Sequence, residues 1–118
     1  MAETPREILD EMTKGGKNLT ALAPEAMQAW RGYSQAAMKT GALDFKTKEL
    51  IAIAIGLSLR CKYCIVYHTY SALKAGATRQ ELTELIFVNV MMGGGPTMTY
   101  AETLLLQSVE AFAPEFGK

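Results

Sequence analysis

Leu50-Ile51-Ala52-Ile53-Ala54-Ile55-Gly56-Leu57-Ser58-Leu59 is the stretch on which the fold class turns. Its isoleucines invite a strand. Alanines, however, stand between them where a half-buried strand would alternate polar residues, and no Pro or Asn bounds the run. The stretch therefore predicts a helix that starts near Asp44, is apolar on most sides, and weakens at Gly56, Ser58 and Arg60 before Cys61.

Outward from this segment, helix signals follow with little between them. A fourth helix is expected from roughly Cys61 to Ala75, closed by Gly76. Thr78-Arg79-Gln80-Glu81 is a capping box that opens a fifth helix through Leu82, Leu85, Ile86 and Val90. Gly93-Gly94-Gly95-Pro96 ends it and starts a sixth, which runs toward Ala113 and stops at Pro114. The triple glycine lacks G-x-G-x-x-G spacing and follows no strand, so it reads as a helix–helix turn rather than a phosphate loop. Upstream, Pro24 opens a second helix with Met27, Trp30 and Tyr33 near one stripe, ending at Gly41. Thr4-Pro5-Arg6-Glu7, a capping box with proline at the first helical position, opens the first helix toward about Met12 or Lys17. The expectation is an all-α fold of about six helices, with residues 1–118 as one domain.

Charge and composition narrow the function. Twelve basic and twelve acidic residues give zero formal net charge, without the basic footprint of a nucleic-acid binder. Their interspersion reads as a solvated surface, and no basic membrane-surface helix is visible. An apolar fraction of 49% is more than so short a chain readily hides, which predicts self-association. The start Met-Ala-Glu-Thr-Pro-Arg-Glu has no apolar core and is not expected to be a signal peptide. The longest apolar run, Leu50 to Leu59, falls short of the about 20 residues a membrane span needs. A cytoplasmic location is expected, and there a paired Cys motif leans toward metal or redox chemistry.

Cys61-Lys62-Tyr63-Cys64-Ile65-Val66-Tyr67-His68 holds both cysteines and the single histidine. Spacings of three and four residues put Cys61, Cys64 and His68 on one helix face. Cys61 falls at the expected helix start, where free N–H groups and the helix dipole favour a thiolate. A thiol with an ordinary pKa near 8.5 is only a few per cent ionised at neutral pH, and His68, one turn past Cys64, is placed to act as its base. A base works better when oriented. If the third and fourth helices form an antiparallel hairpin turning over Leu57 to Arg60, Glu49 and His68 are equidistant from its midpoint. As one straight helix they would stand roughly 28 Å apart. The hairpin thus lines up a carboxylate, an imidazole and two thiols. Competing readings are two cysteines serving as core fillers and a zinc site built from Cys61, Cys64, His68 and Glu49. Covalent haem needs a histidine where Ile65 stands, and a thioredoxin fold needs strands around its CxxC.

The combination Glu49, eleven residues, Cys61-x-x-Cys64, three residues, His68 resembles the signature of the alkylhydroperoxidase D and carboxymuconolactone decarboxylase superfamily. Thr47-Lys48-Glu49-Leu50-Ile51-Ala52 fits it, as does Ala72-Leu73-Lys74-Ala75-Gly76-Ala77-Thr78 followed by Glu81-Leu82. The likeness covers about residues 40 to 90. It implies a helical fold with the CxxC at a helix start, assembled as trimers or hexamers; the sequence itself gives no sign of a bound cofactor. In the redox branch of the family the second cysteine attacks a hydroperoxide and the first completes a disulfide. The resemblance therefore implies Cys64 as nucleophile, Cys61 as resolving thiol, His68 as base and Glu49 as its orienter. A hydroperoxide would be the substrate and an outside dithiol the reductant. That branch often carries histidine before the second cysteine, where this chain has Tyr63. Lactone decarboxylation, in a branch without the dithiol, and a non-enzymatic oligomeric redox sensor are the alternatives.

Overall fold

A computed structural model describes residues 3–118. Thr4 caps α1 (Pro5–Leu22) through the expected reciprocal box with Glu7. The helix runs past Gly15 and Gly16, beyond the expected end near Met12 or Lys17, although each glycine disfavours a helix by about 1 kcal/mol. The last turns of α1 are tied to the next helix. The Thr20 hydroxyl bonds back to the Gly16 carbonyl, and Arg31 of α2 (Pro24–Met38) donates to the Thr20 hydroxyl at 2.6 Å. Only Pro5, Ile8 and Leu9 of α1 are buried, and α2 buries no residue at all.

The Leu50–Leu59 stretch is helical. In α3 (Phe45–Leu59), the Asp44 carboxylate caps the Thr47 N–H at 2.8 Å. Helix α3 runs through Gly56 and Ser58 to Leu59. Arg60 then reverses the chain in the left-handed region (φ 53°, ψ 43°), and the Cys61 N–H bonds to the Gly56 carbonyl at 2.9 Å. The antiparallel partner α4 (Lys62–Lys74) begins immediately.

Helix α4 is the centre of the fold. Its Ile65, Val66, Ala72 and Leu73 are fully buried, and α1, α3 and the last helix pack around it. The Thr78 box opens α5 (Arg79–Gly93), as expected. After the Gly94 turn, α6 (Gly95–Tyr100), a π-helical stretch (Ala101–Leu105) and α7 (Leu106–Phe112) follow one another in unbroken right-handed helical backbone. They form the expected sixth helix with a π bulge inside it. A 3-10 turn (Ala113–Phe116) then carries Pro114. Lys118 folds back so that its ammonium donates to the Leu73 and Ala77 carbonyls at 2.8 and 2.7 Å, closing the far end of α4. The fold class is all-α, and no strand occurs among the described residues. Among them, no helix is long and apolar enough to cross a membrane.

Candidate active site

The site is assembled where α3 and α4 meet. Cys61 is the N-cap of α4, and its sulfur accepts the Cys64 N–H at 3.2 Å. The two sulfurs are joined in a disulfide across Cα atoms 5.2 Å apart, a spacing within the ordinary disulfide range. Both cysteines are half-buried, so the pair is within reach of solvent.

One turn past Cys64, His68 pairs across the hairpin with Glu49 of α3, Nδ1 to Oε2 at 2.8 Å. The Glu49 side chain is only 4% exposed and the His68 side chain 25%. A carboxylate so deeply buried needs a hydrogen-bonding partner, and His68 is the partner it has. Nδ1 faces Glu49, so Nε2 is the ring nitrogen left without that carboxylate as a partner. Tyr67 packs edge-on to the imidazole, ring centres 4.9 Å apart.

The expected pairing of Glu49 with His68 is present, but the turn is not where midpoint counting put it. It lies at Arg60 and Cys61, two residues later. Mirror counting from there would set Glu49 opposite Ala72, and the two long side chains span that offset of about one helical turn.

Three features of the site had no signal that sequence reasoning used. Gly56 is buried, and a Cβ placed on it would lie 3.0 Å from the Cys64 Cβ, so the missing side chain is what lets α3 approach the dithiol turn. Both residues between the cysteines are also held by α1. Tyr63 donates its hydroxyl proton to Glu11 at 2.8 Å, and the Lys62 ammonium pairs with Glu3 at 2.6 Å. Lys62 also sits 4.8 Å from the Tyr63 ring centre. The bond to Glu11 holds the Tyr63 phenol above its ordinary range, and the bond to Lys62 holds the Glu3 carboxyl below its own. A small residue on an otherwise apolar helix could have flagged Gly56. Nothing local flags pairs 52 and 59 positions apart.

The zinc reading requires both sulfurs as ligands, and here they are bonded to each other. Among the described residues, no group of three or more His, Cys, Asp and Glu side chains is disposed to hold a metal ion.

Comparison with known proteins places this geometry. The family model described as "Carboxymuconolactone decarboxylase family" matches residues 24–107. An uncharacterized protein of Cupriavidus necator is 39% identical over 97 residues, which span 82% of this chain and 86% of that protein. A carboxymuconolactone decarboxylase family protein from Legionella pneumophila superposes with a TM-score of 0.84 at 40% identity, covering 97% of each chain. A Thermotoga maritima member, described as a candidate participant in an antioxidative response, gives 0.69 at 26% identity over 87% of this chain and 92% of its own. With most of the chain matched in sequence and in fold, this protein belongs to the carboxymuconolactone decarboxylase family.

Proposed function

We propose that the protein is a thiol-dependent hydroperoxidase and disulfide reductase. The observation that carries this reading is a disulfide-competent Cys pair at a helix start, one turn from a histidine held by a buried carboxylate. In the reduced protein, His68 takes the Cys64 thiol proton. The thiolate attacks the terminal oxygen of a hydroperoxide and breaks the O–O bond. The alkoxide leaves as alcohol with the proton from His68, and Cys64 becomes a sulfenic acid. Cys61 then attacks the Cys64 sulfur, the disulfide forms, and its thiol proton departs with hydroxide as water. An external dithiol returns the pair to the reduced state by exchange and is itself oxidised. The dithiol supports this reading over lactone decarboxylation, which would leave two half-buried sulfurs without a role. The antioxidative description of the Thermotoga relative agrees with it.

Self-association belongs to the same reading. The accessible surface is 7385 Å², about 1,100 Å² above the roughly 6,300 Å² expected of a 12.9 kDa monomer. Trp30 and Tyr33 stack on each other on α2 and stand 60% and 68% exposed, on a helix that buries nothing. The surplus surface and the exposed aromatic pair support a homo-oligomer, and the family resemblance a trimer or hexamer.

The nucleophile assignment is tested in Cys61→Ser, which removes the resolving thiol. One equivalent of hydroperoxide should leave a sulfenic acid on Cys64 that a dimedone probe captures and mass spectrometry locates. Capture at Cys61 in the reciprocal Cys64→Ser variant, with none at Cys64, would reverse the roles.

A further inference from the structure

Helix α1 closes on the dithiol at two points, and both are the residues enclosed by the cysteines. Lys62 and Tyr63 are the first two residues of α4, so their side chains leave the same turn that carries Cys61 and Cys64. Each ends on a carboxylate of the α1 end of the chain: Glu3, just ahead of the Thr4 cap, and Glu11, two turns on. Lys62 also covers the Tyr63 ring, which makes the four groups one cluster. Two carboxylates, one ammonium and a neutral phenol leave that cluster one negative charge in excess.

A lysine beside a cysteine ordinarily favours the thiolate, as do the N–H groups at a helix start. Here the helix start favours thiolate at Cys61 and Cys64, while the Lys62 charge is paired with Glu3. Other charged groups close in the chain or across the hairpin are Arg60, directly before Cys61, and His68 with Glu49, one turn past Cys64. We propose that Glu3 and Glu11 form an acidic clamp that holds the Cys61–Cys64 turn against α1 and, by occupying Lys62, restrains ionisation of the reduced dithiol. Glu3, Glu11 and Lys62 act here as positioning residues, since they work through the field and the turn. The clamp rests on the dithiol being the working site, but its test does not use turnover.

The experiment is iodoacetamide alkylation of the fully reduced protein across pH 5 to 10 at low salt, read by mass spectrometry at each cysteine. Glu3→Gln removes a negative charge and frees Lys62. The freed Lys62 ammonium acting over roughly 8 Å through solvent is worth a two- to threefold change in thiolate population, so alkylation near pH 6.5 should rise about two- to threefold. Lys62→Met should lower it by a similar factor, because Glu3 and Glu11 then act on the pair without a counter-charge. In the Lys62→Met background, Glu3→Gln should have clearly less effect than in wild type. Glu11→Gln keeps an acceptor for Tyr63 and should shift the profile in the same direction as Glu3→Gln, by less. Raising salt to 0.5 M should erase these differences by shortening the Debye length. Equal profiles for Glu3→Gln and wild type would overturn the clamp, as would a Glu3→Gln effect that persists undiminished without Lys62 or at high salt. Because thiol ionisation is measured on the reduced protein, a null result here leaves the peroxidase reading standing, and absent peroxidase activity leaves the clamp testable.

Discussion

A methyl group added at Gly56 probes the contact that brings the two helices of the site together. On the observed backbone it would stand 3.0 Å from the Cys64 Cβ, 3.5 Å from the Ile65 nitrogen and 3.6 Å from the Cys64 carbonyl carbon. The nearest of these is fixed to the α4 backbone and cannot rotate away, so α3 and α4 must part by a few tenths of an ångström. Alanine is worth about 1 kcal/mol over glycine inside a helix, whereas overpacking a tight contact costs about 1–3 kcal/mol. Gly56→Ala should therefore lose about 0–2 kcal/mol, seen in urea as a lower midpoint at unchanged slope. Gly15→Ala is the matched control, because its methyl would meet nothing within 4 Å on an exposed turn of α1. That variant should gain up to about 1 kcal/mol. Peroxide turnover should fall in Gly56→Ala and stay level in Gly15→Ala, because only the first moves Cys64 relative to the Glu49 side of the hairpin. Equal stabilisation by the two substitutions would refute the close-approach argument.

Other outcomes follow from the same geometry. Glu49→Gln keeps an acceptor for the His68 Nδ1 proton and should reduce hydroperoxide kcat/KM by about tenfold, whereas Glu49→Leu removes it and should cost about a hundredfold or more. Equal rates in the two variants would remove the orienting role. Glu81 has its carboxyl held low, chiefly by the bond to Lys46 and then by the Thr78 backbone. Its contribution is therefore present above the ordinary glutamate range and lost as pH falls through the lowered folded value. Glu81→Gln should flatten the loss of urea midpoint from pH 5 downward, and an unchanged slope would dismiss that contribution. Lys118→Met frees the Leu73 and Ala77 carbonyls and should destabilise by about 1 kcal/mol in urea. Trp30→Asp should shift the protein to smaller species in light scattering, and an unchanged mass would take α2 out of the assembly.

The fold was readable because most helices announce where they begin. The Thr4 and Thr78 boxes, the Asp44 cap, Pro24 and the Gly93–Pro96 break all fall at observed boundaries. The length of α1 was not readable, and the contact of Arg31 with Thr20 near its far end has no local signal. The π bulge at Ala101–Leu105 has no local signature either, and it lies inside a run of ordinary helix formers. At the site, the i, i+3 spacing was enough to bring Cys61 and Cys64 together. Hairpin counting reached Glu49 despite a turn misplaced by two residues, because glutamate and histidine are long enough to absorb the shift. Gly56 was read as a weak point in a helix when it is a contact. A glycine's effect depends on what faces it, and Cys64 faces it from another helix. The Glu3 and Glu11 contacts were out of reach for the same reason, being set by where α1 docks.

The most direct measurement is consumption of tert-butyl hydroperoxide with dihydrolipoamide as reductant, by wild type and Cys64→Ser, after treatment with a chelator. The account predicts turnover in the wild type that survives chelation and is lost in the variant. No turnover in either protein, with stoichiometric metal recovered from the untreated wild type, would contradict it and make Glu49, Cys61, Cys64 and His68 a ligand set.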